Sequence, residues 1–572
     1  MNIKKRNEKI NSLEEYICNN LNLKDISELD ARKNFTINAN IVEDIKVLLE
    51  AHKNNGKIYV VGDYDVDGIM SLSELEMIFV SLKITNYVMR TPKRITEGYG
   101  LSRAIVNEIL ADKDISLVIL ADNGITAIDA VKEFRDNDID VVIIDHHLRS
   151  KDGIVPNANV ILNPMAFGDN NANFHNYCTA GLVFKLAESL NIDSKFLKII
   201  NSFAAIGTIA DSVPLKLDNR NIVKSGLATL TSKEGRTTGL YALLEKFWCL
   251  YRCDEDDIGY KIGPCINAAG RLFDNGAKDV YEALKYSSNN IDEARKAIEK
   301  LFEINNERKG IISEQMPLIL NHIEREQLNK LPIIIVKSSA PEGVLGILSG
   351  QITERFNKPS FVLGQTPEGY LKGSGRSAKD SVHIKKLLDS CSDLLIKYGG
   401  HECAGGVSLK EENFNRFYEK AIEFSRPFVS EENDVLFYDF EIDASEVKNW
   451  AENIIKYKPF GEENPLPIFY VRNFTCSKDA ELLGENKKTI KFTDVNNIAA
   501  LNFNVSSEII KNQVCLNKTY SFIGTINKNI IGKDTITYQI LFSYMKEEEK
   551  AVSEEARNRA DKLNDLLASL GI

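Results

Sequence analysis

Three short segments carry acidic side chains and imidazoles at spacings that chemistry can use. VVGDYDVDG sets Asp63, Asp65 and Asp67 on alternate positions, ILADNGIT holds Asp122, and VVIIDHH ends in Asp145, His146 and His147. Carboxylates gathered a few ångströms apart in a low-dielectric cleft repel one another, so protons or a cation must hold them together. Adding imidazoles makes a divalent metal the simplest solution. Carboxylate and water alone would suit Mg²⁺; carboxylate mixed with imidazole suits Mn²⁺ better, with Zn²⁺ and Fe²⁺ behind it. The alternation of Asp63, Asp65 and Asp67 lets neighbouring odd positions face a common point, so one loop could serve two ions. Two ions about 3.5–4 Å apart would clamp a phosphoryl group and activate water between them. A lone Asp-rich turn is ordinarily a cap, and a lone His-His pair is ordinarily solvated. Three such clusters at successive strand ends are not what chance supplies. Asp211, in FAAIGTIADSVPL, follows a small-residue helix able to pack closely on a sheet and is a fourth candidate.

What must position these residues is a parallel sheet. KIYVVGD, ITNYVMRTP, SLVILADNG and DIDVVIIDHH read as strands, with IMSLSELEMIFVSL, LSRAIVNEIL and IDAVKEFRDN as the helices between them. Such alternation predicts right-handed crossovers, and the runs LVILAD and VVIID fit strands buried on both faces. In an open parallel sheet the carboxyl ends of the strands line one edge, where the three clusters are expected to meet. Residues 1–54 read as a helical N-terminal extension (LEEYICNNLNL, NIVEDIKVLLEAH) and 55–215 as the sheet domain. Residues 216–330 are helical and end in a long amphipathic connector with Ala294, Ile298, Leu301 and Ile304 on one stripe. A second β-containing domain is expected over 331–430 and a small barrel of short strands over 431–546. Residues 547–572 read as a charged amphipathic helix with Val552, Ala556, Leu563, Leu567 and Leu570 aligned.

Composition sets outer bounds. A chain of 572 residues holds three or four domains at roughly 100–200 residues each. Mean hydropathy of -0.22 and the lack of a long uncharged apolar run exclude a spanning helix. MNIKKRNEKINSLEEYI has no apolar stretch before a small-residue cleavage site, so no signal peptide is expected. A net charge of -11 argues against polybasic binding of nucleic acid but leaves room for a local basic groove. Among nine cysteines only Cys249 and Cys253, in CLYRC, are close, and a zinc site would need two more ligands that the neighbouring sequence does not offer. Thiols in a reducing cytosol are the expectation.

GDYDVDG, DNG, DHH and GTIAD resemble the motifs of the DHH phosphoesterase superfamily, and GGHECAGG (399–406) resembles the DHHA1 substrate-binding domain. EGYGLS (97–102), IGPCINAAGRL (262–272), EGVLGILSGQITERFNKP (342–359), LKGSGRS (371–377) and KPFGEENPLPIF (458–469) are similar to the RecJ family of bacterial single-strand-specific exonucleases, in the family's order. The resemblance implies an α/β fold: a parallel-sheet DHH domain and a DHHA1 α/β domain joined by the long helix, with a C-terminal OB-type β-barrel. It implies Asp65, Asp122, His146 and Asp211 as ligands of one Mn²⁺, and Asp67 and His147 at a second, with Asp65 or Asp122 bridging and Mg²⁺ as a substitute. Asp63 and Asp145 would orient those ligands from behind.

LKGSGRS reads as a phosphate loop in which Gly373 and Gly375 admit an anion, Ser374 donates and Arg376 binds in bidentate fashion. The resemblance makes His401 part of a wall facing the metals, and Arg94 and Arg271 contacts to the strand or its 5′ end. In the barrel, Phe469, Tyr470, Phe474, Lys487, Lys488 and Phe492 suit either a stacking groove or the core. One departure stands out: Pro341 occupies a position where the family usually has His. The function implied is cytoplasmic, metal-dependent 5′-to-3′ hydrolysis of single-stranded DNA to 5′-mononucleotides in recombination and repair, away from membranes. A monomer would work there with single-strand-binding protein and a RecQ-type helicase. Two other readings are a DHH phosphodiesterase for oligoribonucleotides or cyclic dinucleotides, against which the extra barrel argues, and a silent replication scaffold, against which the complete ligand set argues.

Overall fold

The computed structural model describes residues 2–30, 35–150, 153–285, 289–379, 381–428, 435–484, 489–503, 516–531 and 535–548. The chain divides into two compact units, residues 30–431 and residues 1–29 together with 432–572. No helix among the described residues is long and apolar enough to cross a membrane.

In the larger unit five parallel strands lie in the order Tyr87–Arg90, Lys57–Val61, Ile115–Ala121, Asp140–Ile144, Val160–Leu162. Successive residues bury on opposite faces, as the period of two requires. Ile58, Val60, Leu117, Ile119, Val142 and Ile144 face one core, and Tyr59, Val61, Val118, Leu120, Val141 and Ile143 the other. The strand order reverses between Lys57–Val61 and Ile115–Ala121, which is where open sheets of this kind place their ligands. Val61 pairs with Leu120 and Ala121 with Ile144, so the three segments carrying the chemistry leave the sheet side by side. The helix Val66–Ser81 is buried nearly all round, Ser71, Ser73, Glu74 and Glu76 included. It packs against the helices Thr179–Ser189 and Ser194–Ala210.

The connector is a single helix, Ile291–Arg325, with Asn290 capping its first turn. Ala294, Ile298, Leu301 and Ile304 bury in the first core as the stripe predicts, while Ile319 and Ile323 bury in the next. There, five strands run in the order Leu395–Gly400, Ala404–Lys410, Tyr370–Arg376, Ser360–Gln365, Ile334–Lys337. The helix Glu342–Phe356 covers one face, and Ile384–Ser390 with Phe414–Ser425 the other. LKGSGRS is therefore not a loop: it belongs to the central strand. A Cβ at Gly375 would lie 2.4 Å from the Phe361 ring, so this glycine serves packing and not an anion. Ser374 and Arg376 take the opposite face, by strand alternation.

In the smaller unit a seven-stranded sheet runs Phe440–Asp443, Phe469–Thr475, Thr519–Ile531, Thr535–Glu547, Ala499–Asn502, Thr489–Thr493, Glu481–Leu483. A bridge between Cys476 and Asp494 returns the end of Phe469–Thr475 to the end of Thr489–Thr493, which curls the sheet towards a barrel. Phe469, Phe474 and Phe492 fill its core with Phe522 and Phe542, so they are not groove residues; Tyr470 is only half-buried. Lys487 and Lys488 lie outside the described residues, as does the expected helix beyond residue 548.

The N-terminal 54 residues are not one extension. Asn2–Lys5 forms a strand parallel to Val435–Tyr438, and the helix Leu13–Leu21 buries Tyr16 and Ile17 in the smaller unit's core. The helix Ala39–His52 instead buries Ile45 and Leu49 under the parallel sheet. Each helix carries its own apolar stripe, and each stripe finds a different core.

Candidate metal centre

The residues after each strand turn towards one point. Asp65 caps the helix Val66–Ser81, its Oδ1 accepting from the Gly68 N–H at 3.2 Å. Asp67, two residues on in the first turn, accepts from the Thr179 and Ala180 N–H groups at 2.7 and 2.9 Å. Those N–H groups open another helix, where the helix dipole favours a carboxylate. Asp122 leaves its strand with φ of 63°, a left-handed turn that Asp tolerates better than most residues. Asp211 follows the last residue of Ser194–Ala210, so it faces the negative end of a helix, where a cation is favoured. Gly207, in the same small-residue helix, makes the approach possible: a Cβ there would stand 2.7 Å from the Ala180 Cβ and 3.0 Å from Asp67 Oδ1.

His146 Nε2 lies 3.4 Å from Asp122, 3.6 Å from Asp211 and 3.9 Å from Asp67. Three overlapping triplets offer ligand atoms within 4.8 Å of one another: Asp63, Asp65 and Asp122; Asp67, His146 and Asp211; and Asp122, His146 and His147. The partition differs from the one the resemblance implied. Asp67, not Asp65, shares a triplet with His146 and Asp211, its carboxylate fixed by the Thr179 and Ala180 N–H groups. Asp63, for which the resemblance implied an orienting role, shares a triplet with Asp65 and Asp122. Asp122 belongs to both sides.

The electrostatics are those of a site built for cations. Burial, sharpened by neighbouring carboxylates, pushes Asp63, Asp122 and Asp211 well above the usual carboxylate range, and Asp65 upward as well. Asp63 Oδ1 is buried without a hydrogen-bond partner. Asp145 is hydrogen-bonded to both histidine positions and to the turn after Asp122. Its Oδ1 accepts from His147 Nδ1 at 2.7 Å and from the His146 N–H at 2.8 Å, and its Oδ2 from the Ile125 N–H at 3.0 Å. Burial alone would lower His147, but Asp145, with Asp211 and Asp63, outweighs it and pushes the imidazole up to about 9. His146 lacks such a partner, and burial lowers it. Carboxylate and imidazole donors, with the unpartnered Asp63 Oδ1 among them, fit a divalent ion of the Mn²⁺ or Mg²⁺ type.

A cationic cluster adjoins this acidic one. Arg271 is pushed down to about 10 by burial and by Arg94 and Arg308, with Asp65 and Arg376 also acting on it. Arg94 sits 4.6 Å over the Tyr64 ring, and Arg376 donates to Ser374 Oγ at 2.9 Å. His401 lies in the hairpin between Leu395–Gly400 and Ala404–Lys410, and the charge of His147 reaches it. The sheet beside Ser374 is open: Gly406 pairs with Ser374 and Gly399 with Gly406, and a Cβ on Gly399 would meet nothing within 4 Å. Pro341 precedes Glu342–Phe356 and gives that helix no side-chain cap.

Three contributors escaped the sequence reading. Tyr99 Oη donates to the Asp122 carbonyl at 3.1 Å and lies 3.2 Å from the His147 ring. Thr179 Oγ1 donates to Asp122 Oδ1 at 3.2 Å. Arg308 stands midway along the connector, where nothing local distinguishes it from surface charge. Only Tyr99, inside EGYGLS, had a signal that could have found it.

Comparison with known proteins agrees with this layout. Residues 57–208 match the DHH family N-terminal domain, 330–426 the DHHA1 domain and 438–540 the RecJ OB domain. The chain is 31% identical over 452 residues to the single-stranded-DNA-specific exonuclease RecJ of Escherichia coli, covering 74% of this chain and 76% of that one. It is 30% identical over 453 residues to the Bacillus subtilis protein of the same name, covering 78% of this chain but 55% of that one. The crystal structure of RecJ with Mn²⁺ from Thermus thermophilus superposes with a TM-score of 0.75 at 22% identity, over 94% of this chain and 76% of that one.

Proposed function

The chain belongs to the RecJ family of single-stranded-DNA-specific exonucleases, and from that membership we propose that it is a divalent-metal-dependent exonuclease hydrolysing single-stranded DNA from the 5′ end to 5′-mononucleotides. The observation that carries this reading is the position of Asp122, shared between one carboxylate triplet and the His146 side of the centre. We assign Asp63, Asp65 and Asp122 to one ion and Asp67, Asp122, His146 and Asp211 to the other. Mn²⁺ is the favoured ion and Mg²⁺ a substitute. Bound ions of this kind activate water and neutralise charge developing on a phosphoryl group.

The chain's own residues do the rest. Asp67 is held by the N–H groups that open the helix Thr179–Ser189. His147 has Nδ1 committed to Asp145, which leaves Nε2 to donate to a phosphoryl oxygen. Arg94, Arg271, Arg308 and Arg376, with Ser374, form an anchor for backbone phosphates beside the acidic centre. The open floor at Gly399 and Gly406 gives the strand backbone room to approach, with His401 at its rim. A strand threaded between the acidic centre and this wall excludes a duplex by width. The half-buried Tyr470, stacked near Tyr438 and Arg472, offers the barrel a base-stacking platform. The setting proposed is cytoplasmic end resection in recombination and repair, by a monomer working with single-strand-binding protein and a helicase.

Digestion of a long single strand labelled at either end, with Mn²⁺ and with EDTA, tests this. Early release of the 5′ label as mononucleotide, only with metal, is expected. First loss of the 3′ label, internal cleavage or full activity in EDTA would overturn it.

A further inference from the structure

Away from the acidic centre, Cys249 Sγ, Cys253 Sγ and a carboxylate oxygen of Asp257 lie within 4.8 Å of one another, and all three residues are buried. They sit in an irregular stretch. The helix Thr238–Lys246 ends, Trp248 turns left-handed with φ of 61°, and one short turn, Glu255–Asp257, runs into a π-helical segment, Ile258–Ile262. Asp254 and Asp257 cap each other: the Asp257 N–H donates to Asp254 Oδ1 at 3.1 Å and the Asp254 N–H to Asp257 Oδ2 at 3.2 Å. This brings a second carboxylate beside the thiols. The neighbouring Cys249 thiol, then burial, then both carboxylates disfavour the Cys253 thiolate. A half-exposed cation, Lys261, pairs with Asp257.

Two thiols and a carboxylate converging in a buried, irregular turn are ligand types that zinc takes, and they supply three of the four positions of a tetrahedral site. Sulfur donors select a borderline-soft ion such as Zn²⁺ over the Mn²⁺ or Mg²⁺ suited to the oxygen-rich centre. We propose that Cys249, Cys253 and Asp257 bind one Zn²⁺, with Asp254 or water completing four-coordination. Both thiols lose their protons on binding, so two protons are released per ion. The site ties the end of Thr238–Lys246 to the π-helical segment that leads directly into Gly263–Leu272, the helix that carries Arg271. The proposal stands on residues separate from the nuclease centre, so either can fail alone.

The test uses Co²⁺ as a coloured stand-in for Zn²⁺, added to the fully reduced full-length chain. Thiolate ligation gives a near-ultraviolet charge-transfer band that oxygen and imidazole ligands cannot give. With the oxygen-rich centre also filled, the band's amplitude is expected to correspond to one thiolate-bound Co²⁺ per chain, and the band to bleach on adding Zn²⁺. It should vanish in Cys249→Ser and Cys253→Ser, persist in Cys178→Ser (the thiol beside the acidic centre), and need at least about tenfold more Co²⁺ in Asp257→Asn. Should the serine variants fail to fold, the wild-type titration still decides. Absence of the band in reduced wild-type protein, because Lys261 already balances the group, overturns the proposal. So does a band that survives removal of both thiols.

Discussion

Asp122 Oδ1 lies 3.4 Å from His146 Nε2, although the two residues leave different strands of the sheet. That separation suits two ligands of one ion, and Asp122 also shares a carboxylate triplet with Asp63 and Asp65. Asn tolerates the left-handed backbone of Asp122 as well as Asp does. Asp122→Asn is therefore expected to fold normally, with an unchanged thermal midpoint without metal or a slightly higher one, while losing at least about a thousandfold in kcat, the scale of removing a principal electrostatic stabiliser. Single-turnover assays with circular dichroism check it; a well-folded variant with more than a tenth of wild-type activity would refute the assignment.

Asp145 acts through His147. Removing its charge in Asp145→Asn takes away the largest influence that opposes burial and leaves only Asp211 and Asp63 on that side, so the imidazole should fall from about 9 towards its ordinary value near ~6.5. An NMR titration of the metal-free protein reads this directly. Activity should drop about 10–100-fold, the usual cost of losing a group that orients a metal-site histidine.

The metal-free protein should lose stability as pH rises. Asp63, Asp122 and Asp211 bind protons more tightly folded than unfolded, so their contribution is complete below the unfolded value of about 3.9 and is lost as pH climbs through their raised folded values. His147 follows the same sign, its contribution being lost as pH passes about 9. His146, lowered by burial, opposes the trend near neutrality but is one group against several. Mn²⁺ replaces the protons, so its stabilisation should grow with pH. Thermal melts with and without Mn²⁺ from about pH 5 to about pH 8 should diverge; parallel curves would contradict the reading.

Arg376 donates to Ser374 and stands in the cationic cluster. Arg376→Ala should raise KM for a 5′-phosphorylated strand about 10–100-fold, as expected for losing a hydrogen bond to a charged group. Arg376→Lys should restore little of it, because a point charge does not replace a planar fork. Steady-state kinetics on 5′-phosphate and 5′-hydroxyl strands check both.

The acidic centre was legible because its parts sit directly after strands whose apolar runs are unmistakable; Asp63 to Asp67, Asp122 and His146 needed only the rule that parallel strands end on one edge. How they share ions was not legible, because it depends on which way Asp67 turns after the helix begins, and the helices that fix this lie more than a hundred residues away. LKGSGRS misled because glycine serves two ends: Gly375 makes room for Phe361, a partner on the next strand, and not for an anion. The first 29 residues misled for a related reason. An amphipathic helix shows that it has an apolar face, but nothing in Tyr16 or Ile17 says that the matching core is formed by residues beyond 435.

The central claim is that carboxylates from separate strands hold a pair of ions through Asp122. Electron paramagnetic resonance of the Mn²⁺-loaded chain tests it most directly. The account predicts an exchange-coupled manganese pair in the wild-type protein and its disappearance in Asp122→Asn; isolated, uncoupled Mn²⁺ in the wild type, or coupling that survives the substitution, would contradict it.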